Sequence, residues 1–237
     1  MANPYFSFKQ FTVYHDRCAM KVGIDGVLLG AWSDVLNTEH ILDIGTGSGL
    51  IALMVAQRSN SVIDAIEIEK NAVDQANENV DRSPWSGRIH IQEISLQNFA
   101  KNTPQRYDLI ISNPPYFINS LKAPSSKRST ARHTDSLTHE ELIINAIILL
   151  KPTGRICIIL PVNEAFRCKL FAQSNKLYCT REVRVFPKPN VDASRILMEF
   201  SFKECPVKCT ELVIESNERH HYSKEFTSLA KDFYLKL

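Results

Sequence analysis

Short, almost wholly apolar runs alternate with amphipathic ones along residues 40–160, and this alternation constrains the fold more than any other feature. Ile41-Leu42-Asp43-Ile44, Val62–Ile66, Arg88–Ile91, Tyr107–Ser112 and Ile156–Leu160 each read as a strand. Runs that are apolar throughout belong to strands buried on both faces. Between them, Leu50, Leu53, Met54 and Val55, and then Ala72, Val73, Ala76 and Val80, recur at helical spacing. Thr138-His-Glu-Glu141 has the form of a capping box opening a helix through Leu142, Ile143, Ala146 and Leu150. Pro84 and Gly87, then Pro152 and Gly154, punctuate the pattern. Repeated strand–helix–strand units predict an α/β fold, a parallel sheet with helices on both faces.

After Pro161 a helix carries Phe166, Leu170 and Phe171. Two alternating runs around Val183–Phe186 and Ile196–Phe200, separated by Pro187-Lys-Pro-Asn190, predict an antiparallel pair closing one sheet edge. Phe226, Leu229, Ala230, Phe233 and Leu237 share one helical face, which predicts a docking helix at the carboxyl end. The expected organisation is one domain over 1–237, with a lead-in at 1–39, a core at 40–202 and a C-terminal segment at 203–237. A chain of 237 residues, 44% hydrophobic and 23% charged, is long enough for such a core. Its net charge of +2 implies no partner by itself, so any basic surface must be local. Six cysteines form no CxxC pair; Cys205 and Cys209 would need His220 and His221 to make a zinc site, and scattered reduced thiols with no metal are expected instead. With no signal pattern and no apolar run of membrane-spanning length, a cytoplasmic protein without membrane contact is expected.

Asp43-Ile44-Gly45-Thr46-Gly47-Ser48-Gly49 ends a strand and opens a helix, so its N–H groups and the helix dipole can face a ligand. The dinucleotide pattern GxGxxG has its last glycine one position later and serves a pyrophosphate. The D-x-G-x-G-x-G found here suits a smaller, zwitterionic ligand, and Glu67 at the end of the next strand can accept from two ribose hydroxyls. A tight turn with a surface Glu67 is the plainer alternative. On these residues the chain resembles the class I S-adenosylmethionine-dependent methyltransferases over about 40–200. The resemblance implies a Rossmann-like, mostly parallel seven-stranded sheet with a terminal antiparallel hairpin. It also implies S-adenosylmethionine as cofactor, with Asp43, Gly45, Thr46, Gly47 and Gly49 under its methionine part and Glu67 on its ribose. Ser95 stands where that family often carries an Asp against the adenine.

Asn113-Pro114-Pro115-Tyr116 stops the fourth of these strands, because two prolines fix φ and lack N–H donors. An amide, two carbonyls and a ring are thereby presented at a strand's carboxyl edge. Methylating an exocyclic amine or an amide nitrogen requires drawing out a delocalised lone pair. The Asn113 oxygen and the Pro114 carbonyl can each accept one N–H hydrogen, while Tyr116 offers a stacking face and Phe117 a second wall. Catalysis then rests on positioning and electrostatic preorganisation. In the methyltransferases this tetrapeptide implies transfer to adenine N6, cytosine N4, guanine N2 or a glutamine amide.

Two flanks bear on the choice. Lys122, Lys127, Arg128 and Arg132, with Asp135 the one acid beside them, suit phosphate contacts, and Arg181, Arg184, Lys188 and Arg195 are candidates to extend that patch. Val27–Trp32 reads as a short apolar helix, which would bring Lys21 and Asp25 near the charged methionine end of the cofactor. Met20-Lys-Val-Gly-Ile-Asp-Gly-Val-Leu-Leu-Gly-Ala-Trp32, the Asn113 turn, Ala131-Arg-His-Thr134 and Asp232-Phe-Tyr-Leu235 resemble the bacterial tRNA1(Val) (adenine(37)-N6)-methyltransferase family. That resemblance spans nearly the whole chain and implies methylation of N6 of the adenine beside the anticodon, with tRNA as partner and a monomer assumed. A glutamine methyltransferase of the release-factor type shares the turn but carries a helical domain before its core, where this chain has only 1–39. A non-catalytic RNA-binding module is the third reading, and the intact loop and Asn113 argue against it.

Overall fold

The computed structural model describes residues 3–115, 137–216 and 221–236. Two short strands, β1 (Tyr5–Ser7) and β2 (Thr12–Tyr14), pair as an antiparallel hairpin ahead of the main sheet. Then come α1 (Ile24–Trp32), β3 (His40–Ile44), α2 (Leu50–Arg58), β4 (Val62–Glu67), α3 (Lys70–Asp81), β5 (Ile89–Glu93), α4 (Leu96–Asn102) and β6 (Tyr107–Ser112). The second half holds α5 (His139–Leu149), β7 (Leu150–Pro161), α6 (Val162–Ser174), β8 (Tyr178–Phe186), β9 (Arg195–Ser201), β10 (Lys208–Val213) and α7 (Lys224–Ala230).

The main sheet runs β10-β8-β9-β7-β6-β3-β4-β5. Strands β3 to β7 pair in parallel, and β9 lies antiparallel between β7 and β8. The class I architecture is present, with eight described strands in the sheet where seven were expected. The eighth, β10, pairs in parallel with β8 and takes the edge expected for the hairpin. Its pattern is not that of a buried strand, because only Leu212 of its six residues is buried.

Each face of the sheet carries its own core. Helices α1, α2 and α7 bury Leu28, Leu53, Met54, Phe226 and Ala230 on one side. Helices α4, α5 and α6 bury Phe99, Leu142, Ala146, Ala165 and Cys168 on the other. The capping box forms at the start of α5: Thr138 Oγ1 accepts from Glu141 N, and Glu141 Oε2 accepts from Thr138 N. On α6 the small residues Ala165, Cys168 and Ala172 face inward, leaving Phe166 and Leu170 exposed.

β7 extends through Pro152 and Gly154, but its pairing with β6 jumps from Leu150 to Arg155, so these residues punctuate the ladder and not the strand. The register shifts opposite them, between Tyr107 and Leu109 of β6. A Cβ at position 154 would lie 2.7 Å from the Tyr107 carbonyl oxygen, so this glycine permits a close backbone approach. The strand order reverses at β3: the chain steps outward through β4 and β5, then returns to place β6 on the other side. The carboxyl ends of β3 and β6 therefore meet at a topological switch point, where open α/β sheets bind ligands.

Candidate active site

Asp43 reaches the end of β3 fully buried. Its Oδ2 accepts from Thr46 Oγ1 at 2.6 Å and from Ala52 N at 3.1 Å. Its Oδ1 is buried with no hydrogen-bond partner. Burial pushes the carboxyl up to about 7; the two hydrogen bonds oppose this, and the Glu67 charge adds to it. The loop beyond it turns on Gly45, Gly47 and Gly49, all at positive φ (70°, 56° and 81°), the region that side-chain-bearing residues avoid. Gly45 N and Thr46 N donate to the Ile66 carbonyl, so the loop is tied to the end of β4.

Glu67 closes that end. Its Oε2 accepts from Gly47 N at 3.0 Å, and its Oε1 from Ile68 N and Glu69 N at 2.8 and 3.1 Å. Ile94 N donates to the Glu67 carbonyl, which draws the end of β5 alongside. Ser95 next to it caps α4, its side chain accepting from Asn98 N at 3.3 Å. The position read as a possible adenine contact thus has a structural task of its own.

On the other flank, Ser112 Oγ donates to the Ile44 carbonyl at 2.9 Å, stitching the end of β6 to the end of β3. Asn113 follows immediately, half-buried, with Pro114 buried and Pro115 exposed. The glycine loop, Glu67 and the Asn113 turn are thus gathered at one sheet edge. Tyr116, Phe117, Lys122, Lys127, Arg128 and Arg132 lie outside the described residues.

The lead-in crosses the same edge. Lys21 is exposed, while Asp25, at the start of α1, accepts from Arg195 Nε at 2.9 Å. That ion pair engages the carboxylate expected near the methionine end of the cofactor. The other hairpin cations are also matched by acids: Arg181 with Glu199 at 3.0 Å, Lys188 with Glu215 at 3.1 Å and Arg184 with Glu182 at 3.6 Å. They extend a basic patch less than their number suggested. Cys18 sits half-buried near Glu67, its thiol pushed up to about 11 by burial and then by that carboxylate. Among the described residues, no group of three or more His, Cys, Asp or Glu side chains could hold a metal ion.

Two buried amides on α3 went unread in the sequence. Asn79 and Gln75 are each 1% exposed, on the same stripe as Ala72, Ala76 and Val80. Asn79 Nδ2 donates to the carbonyls of Ser48 and Tyr14, both at 2.8 Å, and its Oδ1 accepts from Tyr14 N at 2.9 Å. Gln75 Oε1 accepts from Arg17 Nε at 3.3 Å. The available signal was polar side chains recurring at the spacing of a helix's buried face.

Comparison with known proteins agrees with this geometry. Residues 26–186 match the family model described as the methyltransferase small domain. A solved structure from Agrobacterium tumefaciens, described as a predicted O-methyltransferase, superposes with a TM-score of 0.68 at 18% identity, covering 88% of this chain and 96% of that one. It supports the fold alone. A Parabacteroides distasonis protein named tRNA1(Val) (adenine(37)-N6)-methyltransferase is 50% identical, with both chains covered in full. A Bacteroides fragilis protein of the same name is 48% identical, again over the whole of both chains. With half of its residues shared from end to end, the chain belongs to the tRNA1(Val) (adenine(37)-N6)-methyltransferase family.

Proposed function

We propose that this protein transfers a methyl group from S-adenosylmethionine to N6 of an adenine in tRNA, the target being adenine 37 beside the anticodon of tRNA1(Val). The observation that carries the reading is the meeting of the Asn113 turn and the glycine loop at one switch point, in a chain half identical to relatives bearing that name. When bound, S-adenosylmethionine supplies an electrophilic methyl group. The residues present fit it. The unpartnered, buried Oδ1 of Asp43 suits the ammonium of the methionine part. Open space around Gly45 and Gly47 lets a ligand approach the backbone. Glu67, with three backbone N–H groups already on its carboxylate, keeps acceptor capacity for one ribose hydroxyl, where the sequence suggested two.

Asn113 and Pro114 would hold the adenine amine through its two hydrogens, with Tyr116 and Phe117 as stacking walls. The acceptors stay fixed while positive charge develops on nitrogen, so the site favours the transition state without a dedicated base. A loop adenine needs only to be splayed out, at less cost than extraction from a duplex. Lys122, Lys127, Arg128 and Arg132 would meet the phosphates around it. We take the protein to act in the cytoplasm as a monomer; among the described residues no helix is long and apolar enough to cross a membrane. Incubation with labelled S-adenosylmethionine and tRNA lacking the modification, followed by nucleoside analysis, tests the reading. N6-methyladenosine at the target position is expected, and its absence would refute the assignment.

A further inference from the structure

One side chain joins two segments that are far apart in sequence and adjacent at the cofactor edge. Asn79 gives both hydrogens of its amide away, one to the Ser48 carbonyl inside the glycine loop and one to the Tyr14 carbonyl at the end of β2. Its oxygen takes the Tyr14 N–H in return. Three bonds of 2.8–2.9 Å on a side chain 1% exposed make a nearly saturated, dry node. Another peptide of the same loop is held by Glu67, to which Gly47 N donates. The loop is thus bonded both to α3 and to the end of β4. The guanidinium of Arg82, just past the end of α3, lies 4.7 Å from the centre of the Tyr14 ring and pins the same residue from outside.

We propose that Asn79 is a positioning residue of the cofactor site, fixing the Ser48 peptide and the Tyr14 main chain together so that affinity for the methyl donor depends on it. The inference rests on the glycine loop being the seat of S-adenosylmethionine. All three loop glycines occupy the left-handed region. Besides the bond from Gly49 N to the Thr46 carbonyl, the loop is held by groups outside it, so its shape depends on restraint by those partners. Asn79 supplies that restraint from a helix, the more rigid kind of support. Gln75, one turn earlier, docks the lead-in at Arg17 and gives a contrast, because its bonds are to Arg17 and Glu78.

The test measures steady-state kinetics on tRNA and calorimetric binding of S-adenosylmethionine for wild type, Asn79→Ala, Asn79→Asp and Gln75→Ala. Asn79→Asp is isosteric and keeps the acceptor for Tyr14 N while losing both donors, and circular-dichroism melts of every variant identify those that are folded. Both Asn79 variants should raise KM and Kd for S-adenosylmethionine about tenfold or more, with kcat at saturating donor within about twofold of wild type. Gln75→Ala should change these constants less than about threefold. Unchanged KM and Kd in folded Asn79→Asp would overturn the proposal. So would a fall in kcat with KM unchanged, or an equal rise in Gln75→Ala, which would credit the docked lead-in and not the loop. Wild-type protein that binds no S-adenosylmethionine would instead refute the underlying reading of the loop.

Discussion

Asp43 gives up its hydration at the end of β3 and recovers only part of it, through one hydroxyl and one backbone N–H on a single oxygen. Its carboxyl, ordinarily at 3.8, is raised to about 7, mainly by burial. The folded state therefore holds this proton more tightly than the unfolded state does. Between those two values the cofactor-free protein loses stability as pH rises, and the full cost is present above about 7. We expect Asp43→Asn to stabilise the cofactor-free protein at pH 8, by an amount on the order of 2–4 kcal/mol, and to do little near pH 4. Thermal melts at the two pH values check this. The same change should weaken S-adenosylmethionine binding at least about tenfold, because an ionised carboxylate is what an ammonium requires. For the same reason, wild-type affinity should climb as pH rises through about 7. Asn113→Ala makes the opposite separation. Calorimetry should show donor binding within about threefold of wild type, while turnover falls about a hundredfold or more, the usual cost of a lost preorganised hydrogen-bonding group.

At the scale of elements, Gly154 shows how a residue signal for a break can mark a shift of register within a strand. Pro152 and Gly154 look like a break before a strand; β7 extends through them, but its pairing with β6 jumps from Leu150 to Arg155, and at Gly154 β6 comes too close for any side chain. The nearest obstacle is the main-chain oxygen of Tyr107, which cannot swing aside. Gly154→Ala should therefore cost about 2 kcal/mol or more, read as a lower urea midpoint at unchanged slope. What was legible shares a cause. The strands β3, β4, β6 and β7 are buried on both faces and wear that burial in their composition, and Thr138 with Glu141 announces α5 chemically. What was missed is held by other means. Strands β1 and β2 are three residues each, and β10 is an exposed edge, so backbone pairing and distant packing define them. The glycine loop, Glu67 and Asn113 were readable because each ends a readable strand. Asn79 was not, since its partners at Ser48 and Tyr14 become neighbours only in three dimensions.

Across the whole molecule, the two ends of the chain meet. Lys9 N donates to the Phe233 carbonyl, Phe8 bridges Tyr234, and Gln57 Nε2 reaches the Asp232 carbonyl. Phe226 is fully buried in the core that also holds Phe8 and Val13. Phe226→Ala should cost about 3–5 kcal/mol in chemical denaturation. Charge must be weighed at this scale too. A net charge of +2 gives little long-range attraction for tRNA, and Arg181, Arg184, Lys188 and Arg195 are each matched by an acid. We propose Lys127 and Arg128, which follow the Asn113 turn in sequence, as phosphate contacts. Each phosphate neutralised releases condensed counterions, so affinity falls with salt in proportion to the number of contacts. Replacing Lys127 and Arg128 by Ala should weaken tRNA binding and lower the log–log salt slope by about one to two. S-adenosylmethionine affinity should stay unchanged, since these side chains are assigned to the phosphates and not to the donor. Filter binding across a salt series checks the slope, and a slope equal to wild type would move the phosphate contacts elsewhere on the protein.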